Sequence, residues 1–206
     1  GRVSLDGGRA MAPSFDTAGW FTNDSELLSL VGKIVLEGGI DGSAIERFII
    51  ADDILARTEE PVTSAFSAWV KTASLDPAEN LTIAPDGLDS WWNVFRVIQA
   101  GEVKITNLPW VRKHQANLGQ GIKERFLMAE QITDEELNDA RKEREKIVKK
   151  IDAAITPGTG LVMPTAPCIA PSLDAEGTSL ESFRSNTMAL TCIAGLAGLP
   201  QVSMPV

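Results

Sequence analysis

The chain has 206 residues, of which 44% are hydrophobic and 23% charged, and its net charge is −9, values that are ordinary for a globular protein. Residues 1–90 hold 6 Lys or Arg against 15 Asp or Glu, whereas residues 91–206 hold 13 of each. This acidic balance argues against nucleic-acid binding by these residues, because phosphate backbones repel negative charge. We expect residues 1–206 to form a single segment with a sizeable core.

Cys168 and Cys192 are far apart in the sequence, and neither has a second pair of ligands nearby. They are therefore predicted to be reduced core residues rather than disulfide partners or metal ligands, and we expect no metal and no cofactor. No secretory signal is visible, and the longest apolar run, residues 188–199, is too short to cross a bilayer. The sequence thus predicts a cytoplasmic protein without a membrane partner.

Helices alternate with short apolar strands along the chain, which predicts an α/β fold: a mixed, mostly parallel sheet flanked by helices. Ahead of the first helix, Trp20 and Phe21 are predicted to pack into the core. Asn23 and Glu26 have the spacing of a capping box and predict the start of that helix. Its predicted end is the pair Gly38-Gly39.

The rest of the chain continues this alternation. A strand is predicted at 47–51, a helix over 59–74 and a second strand at 81–84. Asp89 is predicted to cap a long helix whose apolar positions, three to five residues apart, are Trp91, Phe95, Ile98 and Val103. The remaining predicted elements are a helix over 133–155, a strand at 161–163, a buried helix over 188–199 and a strand at 201–204. Because the chain begins with G-R-V-S-L and stops within this last strand, we expect it to be incomplete at both ends.

Residue chemistry alone supports no catalytic mechanism. His114 is the only histidine, which excludes a two-histidine metal site and argues against a Ser-His-Asp relay. The glycine-rich stretch 157–160 precedes a strand instead of opening a helix, so it is a turn rather than a phosphate-binding loop. The adjacent carboxylates of Asp52 and Asp53 point in different directions and are expected to be solvated.

Four ordered segments resemble the amidase signature family. The opening G-R-V-S and the segment A-P-S-F-D-T-A-G-W-F-T-N-D (12–24) are similar to the part of the family that follows its nucleophile loop. Three later segments, G-I-K-E-R-F-L-M-A (121–129), L-V-M-P-T-A-P (161–167) and G-L-A-G-L-P-Q-V-S-M-P (195–205), resemble later parts of the family in the same order. The chain departs from the family at Asn23, where arginine is usual, and at Gly195, where many members have asparagine.

The resemblance implies an amidase that hydrolyses a carboxamide C–N bond through a Ser–cis-Ser–Lys triad, with backbone N–H groups holding the oxyanion. In the family these three residues precede the G-R-V-S motif. We therefore expect the triad upstream of Gly1, and residues 1–206 alone to be inactive. The implied partners are a small-molecule amide substrate and the remaining part of the amidase domain, and a homodimer is left open.

Two alternatives to a stand-alone amidase stay open. One is an A-subunit-like component of a tRNA-dependent amidotransferase, although such relatives usually keep a tyrosine-rich segment and this chain has no tyrosine. The other is a catalytically inactive scaffold fragment.

The resemblance also implies four substrate-binding residues: Asp16, Thr17, Arg125 and Thr165. Asp16 and Thr17 belong to the motif near the nucleophile, and the alternative for Asp16 is a brace that accepts backbone N–H groups of its own loop. Arg125 aligns with an arginine that clamps a carboxylate in glutamine-using relatives, and the alternative is an ion pair, for example with Glu130. Thr165 follows a strand at the carboxyl edge of the sheet, where ligands bind in such folds.

Overall fold

The computed structural model describes residues 2–36, 44–75 and 79–205, apart from the side chains of Glu79 and Gln120. The described elements are α1 (Ser25–Val35), β1 (Arg47–Ala51), α2 (Asp52–Leu55), α3 (Glu60–Thr72), β2 (Glu79–Leu81), α4 (Leu88–Thr106), α5 (Leu108–His114), α6 (Gln120–Gln131), α7 (Asp134–Ala154), β3 (Thr159–Leu161) and α8 (Thr178–Ala197). The predicted α/β class is confirmed.

The chain divides into two compact units. The first unit comprises Gly1–Ala44 and Ile98–Asp134, and the second comprises Ile45–Val97 and Glu135–Val206. The first unit therefore contains α1, α5, α6 and the C-terminal part of α4. The sheet lies in the second unit together with α2, α3, α8 and nearly all of α7.

The second unit is built on a parallel sheet with the strand order β2–β1–β3. The central strand, β1, pairs Ile50 with Asn80 of β2 and Phe48 with Gly160 of β3. A Cβ atom at Gly160 would lie 3.2 Å from the Phe48 ring, so any larger residue here would push that ring aside by a few tenths of an ångström. The last three residues of β1, 49–51, are buried, as expected for a central parallel strand that reads as a continuous apolar run.

Arg144 joins two helices of the second unit. It interrupts the apolar spacing of α7, and its guanidinium reaches the carboxyl end of α8, where the backbone carbonyls lack helical donors. Nε of Arg144 donates to the carbonyl of Leu196 at 2.8 Å, and a terminal nitrogen donates to that of Gly195 at 3.3 Å. α8 then ends at Gly198, which has a φ of +68°.

The start of α1 differs from the prediction by one residue. Asp24, not Asn23, caps the helix, and its Oδ1 accepts the N–H of Leu27 at 2.7 Å. The end predicted at Gly38-Gly39 lies outside the described residues. Phe21 was predicted to be a core wedge, and this is wrong, because its side chain is fully exposed.

Two other predictions are wrong because strands need partners. The strand predicted at 81–84 is instead β2, which ends at Leu81, and the residues after it turn away from the sheet. Residues 199–205 form no regular structure, although a strand was predicted at 201–204. No backbone ladder is formed by 201–204 within the described residues, and an alternating pattern alone does not fix a strand.

The carboxylates of Asp52 and Asp53 have different environments, contrary to the prediction that both are solvated. Asp52 is exposed at the start of α2, but Asp53 is half-buried. The Asp53 carboxylate accepts the N–H of Ile83 at 3.1 Å and that of Ala84 at 2.8 Å. It therefore fixes the turn that follows β2.

None of the helices in residues 2–36, 44–75 and 79–205 combines the length and the apolarity needed to cross a membrane.

Candidate functional site

The A-P-S-F-D-T segment of the first unit folds into a tight turn. The carbonyl of Ala12 accepts the N–H groups of Phe15 at 2.8 Å and Asp16 at 2.9 Å. In return, the Asp16 carboxylate accepts the N–H of Met11 at 2.9 Å and the N–H of Ala12 at 3.1 Å. Asp16 therefore makes the backbone bonds that the bracing interpretation requires, and its role in substrate binding stays a prediction.

A buried carboxylate on α4, which is not part of the turn, also binds this turn. Glu102 is only 6% exposed. Its Oε2 accepts the N–H of Ser14 at 2.8 Å, and its Oε1 accepts the Ser14 hydroxyl at 2.6 Å. Hydrogen bonds to an ionised acceptor are shorter and stronger than neutral ones, so this pair fixes both the position and the orientation of Ser14.

The end of α4 fixes the residues just before the turn. The Thr106 hydroxyl donates to the carbonyl of Met11 at 2.7 Å, and Nδ2 of Asn107 donates to the carbonyl of Ala10 at 3.1 Å. Nε of Arg9 donates to Oδ1 of Asn107 at 3.0 Å. Met11 and Ser14 are thus tied to α4, and Arg9 and Ala10 are tied to Asn107, the residue that follows α4.

The turn borders a cleft of about 370 Å³, whose lining residues are Leu5, Gly8, Arg9, Ala10, Pro13, Asp16 and Thr17. Thr17 is exposed, and its hydroxyl makes one long hydrogen bond of 3.5 Å to the carbonyl of Ala18. The guanidinium of Arg9 lies 4.8 Å from the centre of the Trp110 ring, a cation–π distance. The structure therefore brings Asp16 and Thr17 to one cleft with a nearby positive charge.

Arg125 belongs to the same unit but not to this cleft. It is exposed on α6. Glu130, the ion-pair partner suggested by the sequence, pairs with Arg112 instead. Arg112 and Glu130 both line a separate groove of about 410 Å³. The carboxylate-clamp role of Arg125 stays a prediction.

Thr165 lies in the second unit. It is exposed in the loop that follows β3, four residues beyond the end of the strand at Leu161. This is the carboxyl side of the parallel sheet, where ligands bind in open α/β folds. Its contribution to a substrate site also stays a prediction.

Neither cysteine has the properties of an activated nucleophile. Burial raises the pKa of the Cys192 thiol to about 12. The pKa of the Cys168 thiol is raised as well, first by burial and then by the negative charge of Glu59. Both side chains therefore stay thiols near neutral pH, whereas a reactive cysteine needs a lowered pKa.

Comparison with solved structures defines the class of fold. The chain superimposes on a crystal structure of an amidase with a TM-score of 0.82, over 99% of this chain and 50% of that one, at 22% identity. The A-subunit of glutamyl-tRNA(Gln) amidotransferase from Thermotoga maritima gives a TM-score of 0.54 over 76% of this chain and 34% of that one, at 20% identity. The chain therefore has an amidase fold.

Sequence relatives agree with this class. The whole chain matches Amidase 1 of Arabidopsis thaliana at 29% identity and Amidase 1 of Oryza sativa subsp. japonica at 28%, covering 56% and 54% of those proteins. The resemblance to the amidase signature family is confirmed: the chain is a homologue of amidases. It spans about half the length of these curated relatives. No family model matches the chain.

Other relatives correct the predicted location. The whole chain also matches the translocon at the outer membrane of chloroplasts 64 of Pisum sativum at 24% identity, over 40% of that protein. It matches the chloroplastic and mitochondrial outer envelope proteins 64 of Arabidopsis thaliana at 21% and 23%, over 40% and 39% of them. The prediction of a cytoplasmic location is therefore wrong. It depended on the reduced cysteines and on the lack of a secretory signal, and neither bears on attachment to an organelle envelope.

Proposed function

We propose that the protein carrying this chain is an amidase that hydrolyses the C–N bond of a small-molecule carboxamide. The observation that carries the proposal is the braced A-P-S-F-D-T turn, which is the family's motif, within an amidase fold that matches over 99% of the chain. In the proposed mechanism a lysine deprotonates a bridging serine, which activates the nucleophilic serine, and backbone N–H groups stabilise the oxyanion. The proposal places all three triad residues N-terminal to Gly1.

Four residues of this chain are proposed to serve the substrate. Thr17 offers an exposed hydroxyl at the cleft, and Asp16 borders the same cleft while its carboxylate holds the turn. Arg125 offers a planar guanidinium with paired donors for a carboxylate or a carbonyl group. Thr165 is proposed as a pocket residue because it follows a strand of the parallel sheet.

The proposed partner is the remaining part of the amidase domain, and an exposed apolar surface supports it. α1 buries only Gly32, while Leu30 and Ile34 are 53% and 75% exposed and Phe21 is fully exposed. Leu30 and Ile34 are four residues apart and therefore share one face of α1, and an exposed apolar face of this kind supports an interface with another part of the protein. Residues 1–206 are therefore proposed to be one part of a longer domain, without binding to nucleic acid and without a resident cofactor.

The proposal is tested in the full-length protein. Hydrolysis of a panel of small amides is followed by ammonia release, and labelling by a fluorophosphonate reports an activated serine. Replacing the proposed upstream nucleophile with alanine is expected to abolish both signals, and residues 1–206 alone are expected to show neither. Unchanged hydrolysis in the alanine variant would refute the mechanism, and turnover by residues 1–206 alone would refute the placement of the triad.

A second candidate is a non-catalytic component at an organelle outer envelope. The observation that favours it is the match to a chloroplast translocon component and to two outer envelope proteins. Its identities, 24% or lower, are below the 29% of the match to Amidase 1. Envelope association of the full-length protein without any serine labelling would favour this candidate over the amidase.

A further inference from the structure

We propose that Glu102 is a positioning residue for the amide-cleaving site, and that its buried carboxylate sets the position of the Asp16-Thr17 loop through Ser14. This inference rests on the proposed function, because a positioning role needs a reaction to serve. It adds a residue that lies outside all four family-like segments of the sequence.

The contact between Glu102 and Ser14 fixes more than one degree of freedom. Both carboxylate oxygens are used, one for the backbone N–H and one for the hydroxyl of the same residue, at 2.8 and 2.6 Å. One bond restrains the main chain and the other restrains the side chain. The two oxygens of Glu102 therefore form a bidentate contact that fixes the backbone of Ser14 relative to α4.

A carboxylate is a costly way to hold a loop if stability is the only requirement. Glu102 is 6% exposed, and removing a charge from water carries a large desolvation penalty. Apolar residues of similar volume often stabilise a buried position as well as a charged group does. What the carboxylate adds is a defined geometry, which an apolar contact does not provide.

The loop is held on both sides of Pro13 by one turn of α4. Glu102 binds Ser14, which follows the proline, and Thr106 binds the carbonyl of Met11, which precedes it. Residues four apart on a helix share a face, so both contacts come from the same side of α4. Of the two, Glu102 holds the part of the loop that leads directly to Asp16 and Thr17.

Glu102→Gln is the sharpest substitution for the full-length protein. The glutamine side chain keeps its size but carries no charge. Its carbonyl oxygen can accept the N–H of Ser14, but its NH₂ group meets the Ser14 hydroxyl only if that hydroxyl turns to act as the acceptor, so both charge-assisted bonds are replaced by weaker neutral ones. A mutation far from the reacting atoms that misplaces a group by about 1 Å can reduce the rate on the order of 10²-fold. We expect kcat for amide hydrolysis and the rate of fluorophosphonate labelling to fall on the order of 10- to 100-fold, with KM changed by less than about threefold.

Val70→Ala is the control for a merely structural effect. Val70 is buried in a cluster with Ile50 and Phe66 of the second unit, so its truncation lowers the melting temperature without touching Ser14. We expect Val70→Ala to keep kcat and the labelling rate within about twofold of wild type. If Glu102→Gln does not fold, Ser14→Ala replaces it, because this variant loses only the hydroxyl bond. Its expected loss of kcat is roughly threefold or more, in line with one hydrogen bond.

The outcomes separate the two proposals. If Glu102→Gln keeps the labelling rate and the kcat of wild type, the positioning role is overturned and the amidase proposal stands. The same holds for Ser14→Ala where Glu102→Gln does not fold. A rise in KM at unchanged kcat overturns it as well, because that pattern reports a loss of uniform binding. A folded wild-type protein that neither labels nor hydrolyses overturns the proposed function, and the role of Glu102 with it.

Discussion

Replacing Asp53 with alanine is expected to destabilise the second unit strongly. The carboxylate accepts two backbone N–H groups, from Ile83 at 3.1 Å and from Ala84 at 2.8 Å. Both donor residues are only 2% exposed, so water does not readily replace the lost acceptor. The substitution therefore leaves two buried donors unsatisfied, which is more damaging than the loss of two bonds at the surface.

The size of the effect follows from the two contacts. A hydrogen bond to a charged group contributes about 1.5–3 kcal/mol, so two such bonds predict a loss of about 3–6 kcal/mol. A typical domain has a free energy of unfolding of only about 5–15 kcal/mol, so much of the stability is at risk. With an m-value of about 2 kcal/mol per molar urea, the midpoint falls by about 1.5–3 M.

Asp52→Ala is the matched control, because Asp52 is the neighbouring carboxylate and is exposed. Its expected cost is the interaction with the N-terminus of α2, about 0.3–1 kcal/mol. Urea unfolding of wild type and both variants is followed by tryptophan fluorescence, and amide hydrogen exchange is measured at Ile83 and Ala84. Equal losses in the two variants, or unchanged exchange at both amides in Asp53→Ala, would refute the reasoning.

Three further predictions concern single side chains. Arg144→Leu is expected to lower the free energy of unfolding by about 1–3 kcal/mol in urea titrations, because the end of α8 loses its side-chain donors, and Arg144→Lys is expected to recover part of this. Asp16→Ala is expected to speed hydrogen exchange at the Met11 and Ala12 amides at least about tenfold, the equivalent of about 1.4 kcal/mol, while exchange in α7 stays unchanged. Burial raises the pKa of the Cys192 thiol from 9.0 in the unfolded chain to about 12 in the folded protein. Below pH 9 the thiol is protonated in both states, but above it only the unfolded chain ionises, so the free energy of unfolding falls as the pH rises towards 12. Urea titrations between pH 8.5 and 10.5 are expected to show that the free energy of unfolding falls more steeply with pH in wild type than in Cys192→Ala. The difference between the two slopes is expected to approach about 1.4 kcal/mol per pH unit, and parallel slopes would contradict the prediction.

The parts of the fold that the sequence predicted well are those with strong internal patterns. β1 was predicted at 47–51 and is observed at Arg47–Ala51, because five residues without a turn signal suit a central strand. The helix predicted over 133–155 is α7, Asp134–Ala154, where buried positions alternate with charged ones. Both patterns are local, so they survive without knowledge of the neighbouring elements.

The predictions that failed depended on neighbours. Asn23 and Asp24 are both good cap residues, and the pattern alone does not tell which of them will reach the first free N–H. Phe21 was predicted to be buried because it is large and apolar, but burial also needs a surface to pack against. A strand at 201–204 likewise needs a partner strand for its backbone bonds, and sequence alternation does not supply one.

The sequence predicted Asp16 and Thr17 at the candidate site but not Glu102, and the pattern of α4 shows why Glu102 was missed. The buried positions of α4 run through Trp91, Phe95 and Ile98, and a spacing of three to four residues leads next to Glu102. Residue type led instead to Val103, which is half-buried, whereas Glu102 is buried. Spacing was therefore the better guide than hydrophobicity. A carboxylate at a position where the period requires burial needs hydrogen-bond donors, and two of them, the N–H and the hydroxyl of Ser14, come from a residue 88 positions away in the sequence.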